Sequence, residues 1–181
     1  LGGAHESHGA PPGTYLVLVF ATFWPASFFV WPALALGFRH RTLPAVRFLL
    51  AWLVPTWIVF ELMPTKLPHY VLPVYPALAL LAGQAAIEAR TAPLFRTWPA
   101  RANLLLWAAV TLVLAGAIVS VSPVLQGRLA PAALIPAVAG VAMIPSVWRY
   151  LRHLRPVRTG VMALALSVPV LAPTFGLVLP G

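Results

Sequence analysis

The feature that most constrains this chain is a succession of long apolar runs separated by short segments that carry arginine. An apolar helix needs about 20 residues to cross about 30 Å of hydrocarbon. By that criterion the sequence predicts an all-α integral membrane fold with about six transmembrane helices, and the whole chain, 1–181, forms a single transmembrane domain. The predicted spans are residues 14–38, 48–63, 71–87, 102–122, 129–148 and 160–179.

The composition indicates the same class of protein. Hydrophobic residues make up 61% of the chain and charged residues 8%, whereas a soluble domain is typically about 45–50% apolar and about 25% charged. Aspartate and cysteine are absent. Chemistry that needs two aspartates, an Asp-centred triad or a thiolate therefore cannot be completed within these residues.

The positions of the basic residues predict the orientation of the helices. The net charge is +9 at pH 7, and ten of the twelve cations follow the first, third and fifth apolar runs, while Lys66 and Arg128 lie in the alternate segments. Short basic loops tend to stay cytoplasmic, so we expect the N-terminus, the Lys66 segment and the Arg128 segment to be extracytoplasmic. Topology thus accounts for the charge, and we expect no nucleic-acid partner.

Proline is abundant and often falls inside the predicted spans. The chain has 20 prolines, and Pro25, Pro55, Pro73 and Pro76 are among those within apolar runs. Each removes a backbone donor, so we expect kinked or broken helices whose freed carbonyls are satisfied by neighbouring helices or by water. The alternative is that membrane helices simply tolerate proline.

The segment KLPHY, between the second and third runs, holds the strongest candidate for ligand binding. Lys66 offers a compact positive charge and Tyr70 a phenolic donor, which suit a phosphate or pyrophosphate at the membrane surface. If residues 66–70 are helical, the four-residue spacing places both on one face. The alternative is that Lys66 snorkels to the interface and Tyr70 belongs to the aromatic belt.

Two further groups of polar residues have open interpretations. His5, Glu6 and His8, in the segment HESHGAPPGTY, could ligate Zn²⁺ or a harder divalent metal, or could simply be solvated. Glu61 is the acid inside a predicted span, and such carboxylates usually face a partner or a watery cavity. Lys66 is its candidate partner, and the alternative is a Glu61 that is hydrated among the head groups.

Two stretches of the sequence resemble a known family. PTKLPHYVLPVYPALALL and HGAPPGTYLVLVFATFWP are similar to the bacterial membrane glycosyltransferases of the GT-C superfamily, specifically the protein O-mannosyltransferase-like family that includes the aminoarabinose transferase acting on lipid A. The resemblance covers residues 6–32 and 61–83. It implies that the helices are part of a GT-C helical bundle in the bacterial inner membrane.

The resemblance also implies a reaction. A sugar, hexosyl or pentosyl, would pass from a polyprenyl-phosphate carrier to a lipid or protein acceptor on the extracytoplasmic face, with membrane lipids as the surroundings. Tyr70, Lys66 and the intervening His69 would contact the carrier phosphate. His8 would match a histidine that can bind a divalent metal near that phosphate.

The catalytic aspartate of that family lies in its first extracytoplasmic loop, and this sequence has none. We therefore expect a C-terminal membrane fragment of a longer enzyme, with no catalytic residue assigned here and no transfer activity by itself. Two alternatives remain open at the level of the sequence. A transporter or flippase half would also explain the kinked helices and Glu61. A non-catalytic membrane anchor subunit would need no catalytic aspartate.

Overall fold

The computed structural model describes residues 11–64, 66–88, 96–126, 134–153 and 156–173, and these ranges contain helices without a β-strand. Two 3-10 helices, Ala26–Phe29 and Pro68–Val74, lead directly into α2 and α4. The all-α prediction is confirmed for this part of the chain. The α-helices are α1 (Thr14–Thr22), α2 (Val30–Arg39), α3 (Pro44–Leu62), α4 (Tyr75–Glu88), α5 (Trp98–Gln126), α6 (Leu134–Arg152) and α7 (Pro156–Pro173).

The outer surface of these helices is apolar. Leu62 on α3 is 77% exposed and Val113 on α5 is 70% exposed. A surface of this kind is unfavourable in water but is solvated by lipid tails. Within the described ranges, the stretches long and apolar enough to span a membrane are Pro44–Leu62, Pro68–Glu88 and Trp98–Ser120, and the shorter apolar helices are Ala26–Arg39, Leu134–Arg149 and Val157–Val168.

These helices identify a helical membrane protein. The count of about six spans and their orientation across the membrane stay predictions. Each predicted span overlaps one α-helix, except the first, over residues 14–38, which overlaps two α-helices and the 3-10 helix between them; the third, over residues 71–87, also includes the end of the second 3-10 helix. Its interruption lies at Pro25, where the proline ring has no backbone N–H to continue the helix.

The interruption around Pro25 is held by side chains of α5. Buried Trp107 donates from Nε1 to the Pro25 carbonyl oxygen at 3.1 Å. Buried Asn103 donates from Nδ2 to the Phe28 carbonyl oxygen at 2.8 Å, and its Oδ1 accepts from the Trp31 N–H at 3.1 Å. Backbone groups freed by a broken membrane helix are therefore satisfied by a neighbouring helix, as the proline pattern predicted.

Helix ends from distant parts of the sequence meet in two regions. At one, which we call the arginine end, His40 Nε2 after α2 lies 3.3 Å from Glu88 Oε1 at the end of α4. Asn103, Trp107 and Thr111 of α5 bond in turn to Trp31, Pro25 and Trp24, so α5 runs antiparallel to this segment and its start lies toward the same end. The other region joins the start of α1, the end of α3 and the segment that follows α3; its central residues, which we call the turn cluster, are Gly13, Tyr15, Glu61 and Lys66.

Candidate functional site

The turn cluster is built around an ion pair between Glu61 and Lys66. Lys66 Nζ lies 3.3 Å from Glu61 Oε1, and the exposed fractions of the two side chains are only 2% for Lys66 and 15% for Glu61. Lys66 Nζ also donates to the backbone carbonyl oxygen of Glu61. The expected pairing of these two residues is confirmed, and the pair is largely withdrawn from the surroundings instead of being hydrated among head groups.

The local sequence explains why Lys66 turns back to Glu61. Helix α3 ends at Leu62, and Met63 is already extended, with φ −65° and ψ 134°. The chain then resumes a helix only at Pro68, whose fixed φ suits the first position of a helix. Lys66 follows the end of α3, and its ammonium lies over the open C-terminal end of that helix, where a cation is favourable.

The start of α1 completes the cluster. The Gly13 N–H donates to Glu61 Oε1 at 2.6 Å, and the buried Tyr15 hydroxyl donates to the Leu67 carbonyl oxygen at 3.0 Å. Lys66 Nζ lies 5.3 Å from the centroid of the Tyr15 ring, which is within cation–π range. Gly13 and Tyr15, the described end of the N-terminal polar segment, thus contact the KLPHY segment and the Glu61 carboxylate that pairs with it.

Gly13 has a conformation that explains the residue type. Its φ is +94°, in the left-handed region, and it precedes the first residue of α1. A side chain is strained in that region, whereas glycine adopts it freely. This backbone conformation aims the Gly13 N–H at the Glu61 carboxylate, so Gly13 and Glu61 fix the approach of α1 to α3.

His69 and Tyr70 lie beside the ion pair on the 3-10 helix. His69 is exposed and Tyr70 is half-buried. Their rings meet at a centroid distance of 5.0 Å, and the Tyr70 ring lies 5.9 Å from that of Phe60 on α3. The hydrophobic contact with α3 thus fixes Tyr70, while His69 is left accessible to a ligand.

The four-residue spacing argument for Lys66 and Tyr70 is wrong. It requires a helix over residues 66–70, but Lys66 and Leu67 precede the helix, which begins at Pro68 and is of the 3-10 type. The proline at position 68 is the reason, since the residue before a proline is driven away from the α region. Lys66 is instead placed by its contacts with Glu61 and Tyr15.

The carboxylate of Glu61 carries an unused acceptor. Its Oε1 accepts from Gly13 and pairs with Lys66, whereas its Oε2 is buried and has no hydrogen-bond partner within the described ranges. Buried polar atoms are usually satisfied. This oxygen is therefore a position at which a bound ligand that donates a hydrogen bond would be favourable.

The predicted metal ligands lie outside the described residues. These are His8, and with it His5 and Glu6. Among the residues that the structure describes, no three His, Cys, Asp or Glu side chains are grouped as a metal site would require. The described residues therefore do not provide a metal-binding set, and the divalent metal at His8 stays a prediction.

Sequence reasoning missed Gly13 as a site residue and gave Tyr15 only a general place in the N-terminal polar segment. The double proline before Gly13 is a turn signal that could have located the left-handed glycine. The Tyr15 hydrogen bond to Leu67 depends on how α1 packs against the turn, and no local pattern encodes that contact.

One known protein shares sequence similarity with part of this chain. It is the undecaprenyl phosphate-alpha-4-amino-4-deoxy-L-arabinose arabinosyl transferase of Pseudomonas paraeruginosa (strain DSM 24068 / PA7), which is 35% identical over 86 residues. Those residues are 48% of this chain but only 16% of the relative, so the chain spans well under a fifth of the relative's length. No protein-family profile and no solved structure matches the chain.

This similarity agrees with the family resemblance of the two sequence stretches only in the general class of protein. It supports a bacterial membrane glycosyltransferase of the GT-C superfamily in general, and it does not distinguish the families within that superfamily. Protein glycosylation receives no support from it.

Proposed function

We propose that this chain is part of a membrane glycosyltransferase that moves a sugar from a polyprenyl-phosphate carrier to a lipid or protein acceptor. The observation that carries the proposal is the 35% identity over 86 residues with an arabinosyl transferase whose name specifies an undecaprenyl-phosphate-linked sugar. The helical, lipid-facing surface supports it, because such a carrier keeps its tail in the bilayer. By the distribution of arginine, the reaction takes place at the extracytoplasmic face of the bacterial inner membrane.

In this proposal the carrier phosphate binds at the turn cluster. Lys66 supplies the charge, exposed His69 and half-buried Tyr70 supply donors, and His8 is the proposed ligand for a divalent metal near the phosphate. Lys66 already pairs with Glu61, and a neutral pair attracts an anion only weakly. The phosphate must therefore compete with the Glu61 carboxylate for Lys66, whose ammonium has three donors to share.

No described residue is assigned as the catalytic base. Transfer requires an acceptor oxygen to attack the anomeric carbon while the carrier phosphate leaves, and the proton of the acceptor must pass to a base. Glu61 is paired with Lys66 through Oε1, its unpartnered Oε2 is buried, and Glu88 lies at the arginine end beside His40. The described carboxylates are thus better placed for structure than for this proton transfer.

The buried polar residues of α5 do not support the alternative function, a transporter. A transport path needs polar groups that can exchange partners with a substrate. Asn103 is occupied at both ends of its amide by the backbone around the Pro25 interruption, and Trp107 is occupied there as well. These residues hold a helix break, so glycosyl transfer is the function that the observations favour.

Activity can be tested with the protein expressed from its natural reading frame and purified in nanodiscs. It is incubated with polyprenyl phosphates carrying pentosyl or hexosyl groups and with bacterial membrane lipids and membrane proteins as acceptors, and both the release of free polyprenyl phosphate and the glycosylated acceptor are followed by mass spectrometry. Release above that of empty nanodiscs supports the proposal. Absence of release with every carrier, or movement of intact carrier between leaflets without loss of sugar, overturns it.

Competition at Lys66 gives a second test with matched variants. Binding of undecaprenyl phosphate to the same nanodiscs is compared for Glu61→Gln, Lys66→Met and the double variant. Glu61→Gln removes the competing carboxylate and should tighten binding, whereas Lys66→Met should weaken it by about tenfold or more. The double variant removes both charges and keeps similar side-chain volumes. If the double variant bound the carrier as tightly as the native protein does, Lys66 would be ruled out as the phosphate ligand.

A further inference from the structure

A cavity at the arginine end contains an unusual concentration of guanidinium groups. It has a volume of about 450 Å³ and lies between the start of α5 and the end of α6. We call it the arginine pocket. Its lining residues are Arg96, Ala100, Arg101, Leu104, Trp148, Leu151 and Arg152.

The charges of this pocket are not balanced by its own lining. Three of the described lining residues are arginines, and none of the described lining residues is a carboxylate. In the described ranges the acidic residues are Glu61, which pairs with Lys66 in the turn cluster, and Glu88, which lies beside His40. Like charges held in one cavity repel each other, so an anion in the pocket would be strongly favoured.

The direction of α5 adds to the positive potential. Arg101 lies in the first turn of α5, and this turn contains no acidic residue. The N-terminal end of a helix carries the positive end of its dipole, where cations are unfavourable and anions are favourable. Arg101 therefore occupies a position that becomes favourable once an anion is bound.

The remaining lining residues indicate a lipid and not a fully hydrated anion. Leu104, Leu151 and Ala100 are apolar, and Trp148 packs under Arg152, whose guanidinium carbon lies 5.0 Å from the ring centroid. Nearby Trp98 is 78% exposed at the first position of α5. Tryptophan and arginine at helix ends are typical of the membrane interface, which is the depth of a phospholipid head group.

We propose that the arginine pocket binds the phosphodiester head group of an anionic phospholipid. Arg101 and Arg152 bind the phosphate from α5 and α6, and Arg96 contributes charge from the segment before α5. The apolar lining accepts the glycerol backbone and the upper part of the acyl chains. Basic pockets between membrane helices recognise anionic head groups in this way. This site is at the opposite end of the protein from the turn cluster and does not depend on the proposed glycosyl transfer.

The test is lipid retention by the purified protein. Native mass spectrometry in detergent compares phosphatidylglycerol with phosphatidylcholine of the same acyl chains, for the native protein and for Arg101→Gln/Arg152→Gln. Retention of phosphatidylglycerol should fall by about tenfold or more in the double variant, because two charge-assisted contacts are lost. Arg47→Gln/Arg158→Gln is the matched control, since it removes two exposed arginines outside the pocket, and we expect a change within about twofold.

Three results would overturn the proposal. Equal losses in the pocket and control variants would indicate an effect of net charge, and equal retention of phosphatidylcholine would indicate an apolar cavity without head-group recognition. Glycerol phosphate or inorganic phosphate that competes as strongly as the lipid would indicate a site for a soluble phosphate.

Arg101→Lys tests the geometry of the contact, because it keeps the charge but loses the planar guanidinium. Retention of phosphatidylglycerol by this variant should lie between that of the native protein and that of Arg101→Gln.

Discussion

The two polar ends of this protein differ in whether their basic side chains are buried and paired with a carboxylate. In the turn cluster, the side chain of Lys66 is 2% exposed, pairs with Glu61 and lies against the Tyr15 ring. At the arginine end, Arg96, Arg101 and Arg152 are exposed around one cavity, and no acidic residue is among the lining residues that the structure describes.

The difference means that net charge alone does not tell which cations of a membrane protein are free to meet an anion. In the turn cluster, an anion must compete with Glu61 for the Lys66 ammonium. Anion binding there would therefore be coupled to the local structure. The arginine pocket offers charges that nothing in its lining neutralises. Substitutions at the first end should therefore change stability, while those at the second should change ligand binding and leave stability almost intact.

Lys66→Ala should have the largest effect on stability. It leaves the mostly buried Glu61 carboxylate without its cation, and breaking a buried pair in this way typically costs about 3–5 kcal/mol. The measurement is unfolding of the purified protein in mixed micelles. Arg47→Ala, at an exposed position on α3, is the control and should change the free energy of unfolding by about 0.5 kcal/mol or less. Equal effects of the two variants would mean that the ion pair does not stabilise the fold.

Gly13→Ala should have the next largest effect. The added methyl group meets no atom within 4 Å, so the penalty comes from the φ of +94° alone and should be about 1–2 kcal/mol. Gly83→Ala is a matched control, because its added methyl group is also free of contacts but it lies inside α4, where alanine is favoured. A Gly13→Ala protein as stable as native would show that α1 does not need this left-handed residue.

Tyr15→Phe isolates one hydrogen bond of the turn cluster. The ring remains beside Lys66, and only the 3.0 Å hydrogen bond to the Leu67 carbonyl oxygen is lost. The expected loss in the free energy of unfolding is about 1 kcal/mol. An unchanged stability would indicate that the Leu67 carbonyl finds another donor, and that α1 is not tied to the turn by this contact.

Arg101→Gln should have the smallest effect on stability. Arg101 is exposed and lines the pocket with two other arginines and no carboxylate among the described lining residues, so its removal should change the free energy of unfolding by about 0.5 kcal/mol or less in detergent. The same unfolding measurement applies. A loss above about 2 kcal/mol would contradict the contrast between the two ends, because it would require a stabilising partner for Arg101 within the protein.

The sequence predicted the class of fold and the ion pair, but not their details. Hydropathy is enough to identify apolar helices, since any helix in lipid must satisfy its own backbone. The break at Pro25 was expected only as one of many proline effects, because its position depends on α5 supplying Asn103 and Trp107 as partners. Residues far apart in sequence decide that, and periodicity does not detect them.

The site was predictable to the same degree. A lone acid at the end of an apolar span and a lone lysine five residues later have few other partners, so their pairing follows from composition and proximity. The helical spacing of Lys66 and Tyr70 failed because Pro68 delays the helix. The arginine pocket was hidden, since topology already explained each arginine separately and only the packing of α5 against α6 places three of them around one cavity.

Photo-crosslinking of a polyprenyl phosphate tests the central claim most directly. The purified protein in nanodiscs is irradiated with a carrier that bears a diazirine next to its phosphate, and the labelled peptides are identified by mass spectrometry. The proposed site predicts labels at Lys66 to Tyr70 and near Gly13 and Tyr15, which are lost in the Glu61→Gln/Lys66→Met variant. Labels confined to the arginine pocket, or labels that persist unchanged in that variant, would contradict carrier binding at the turn cluster.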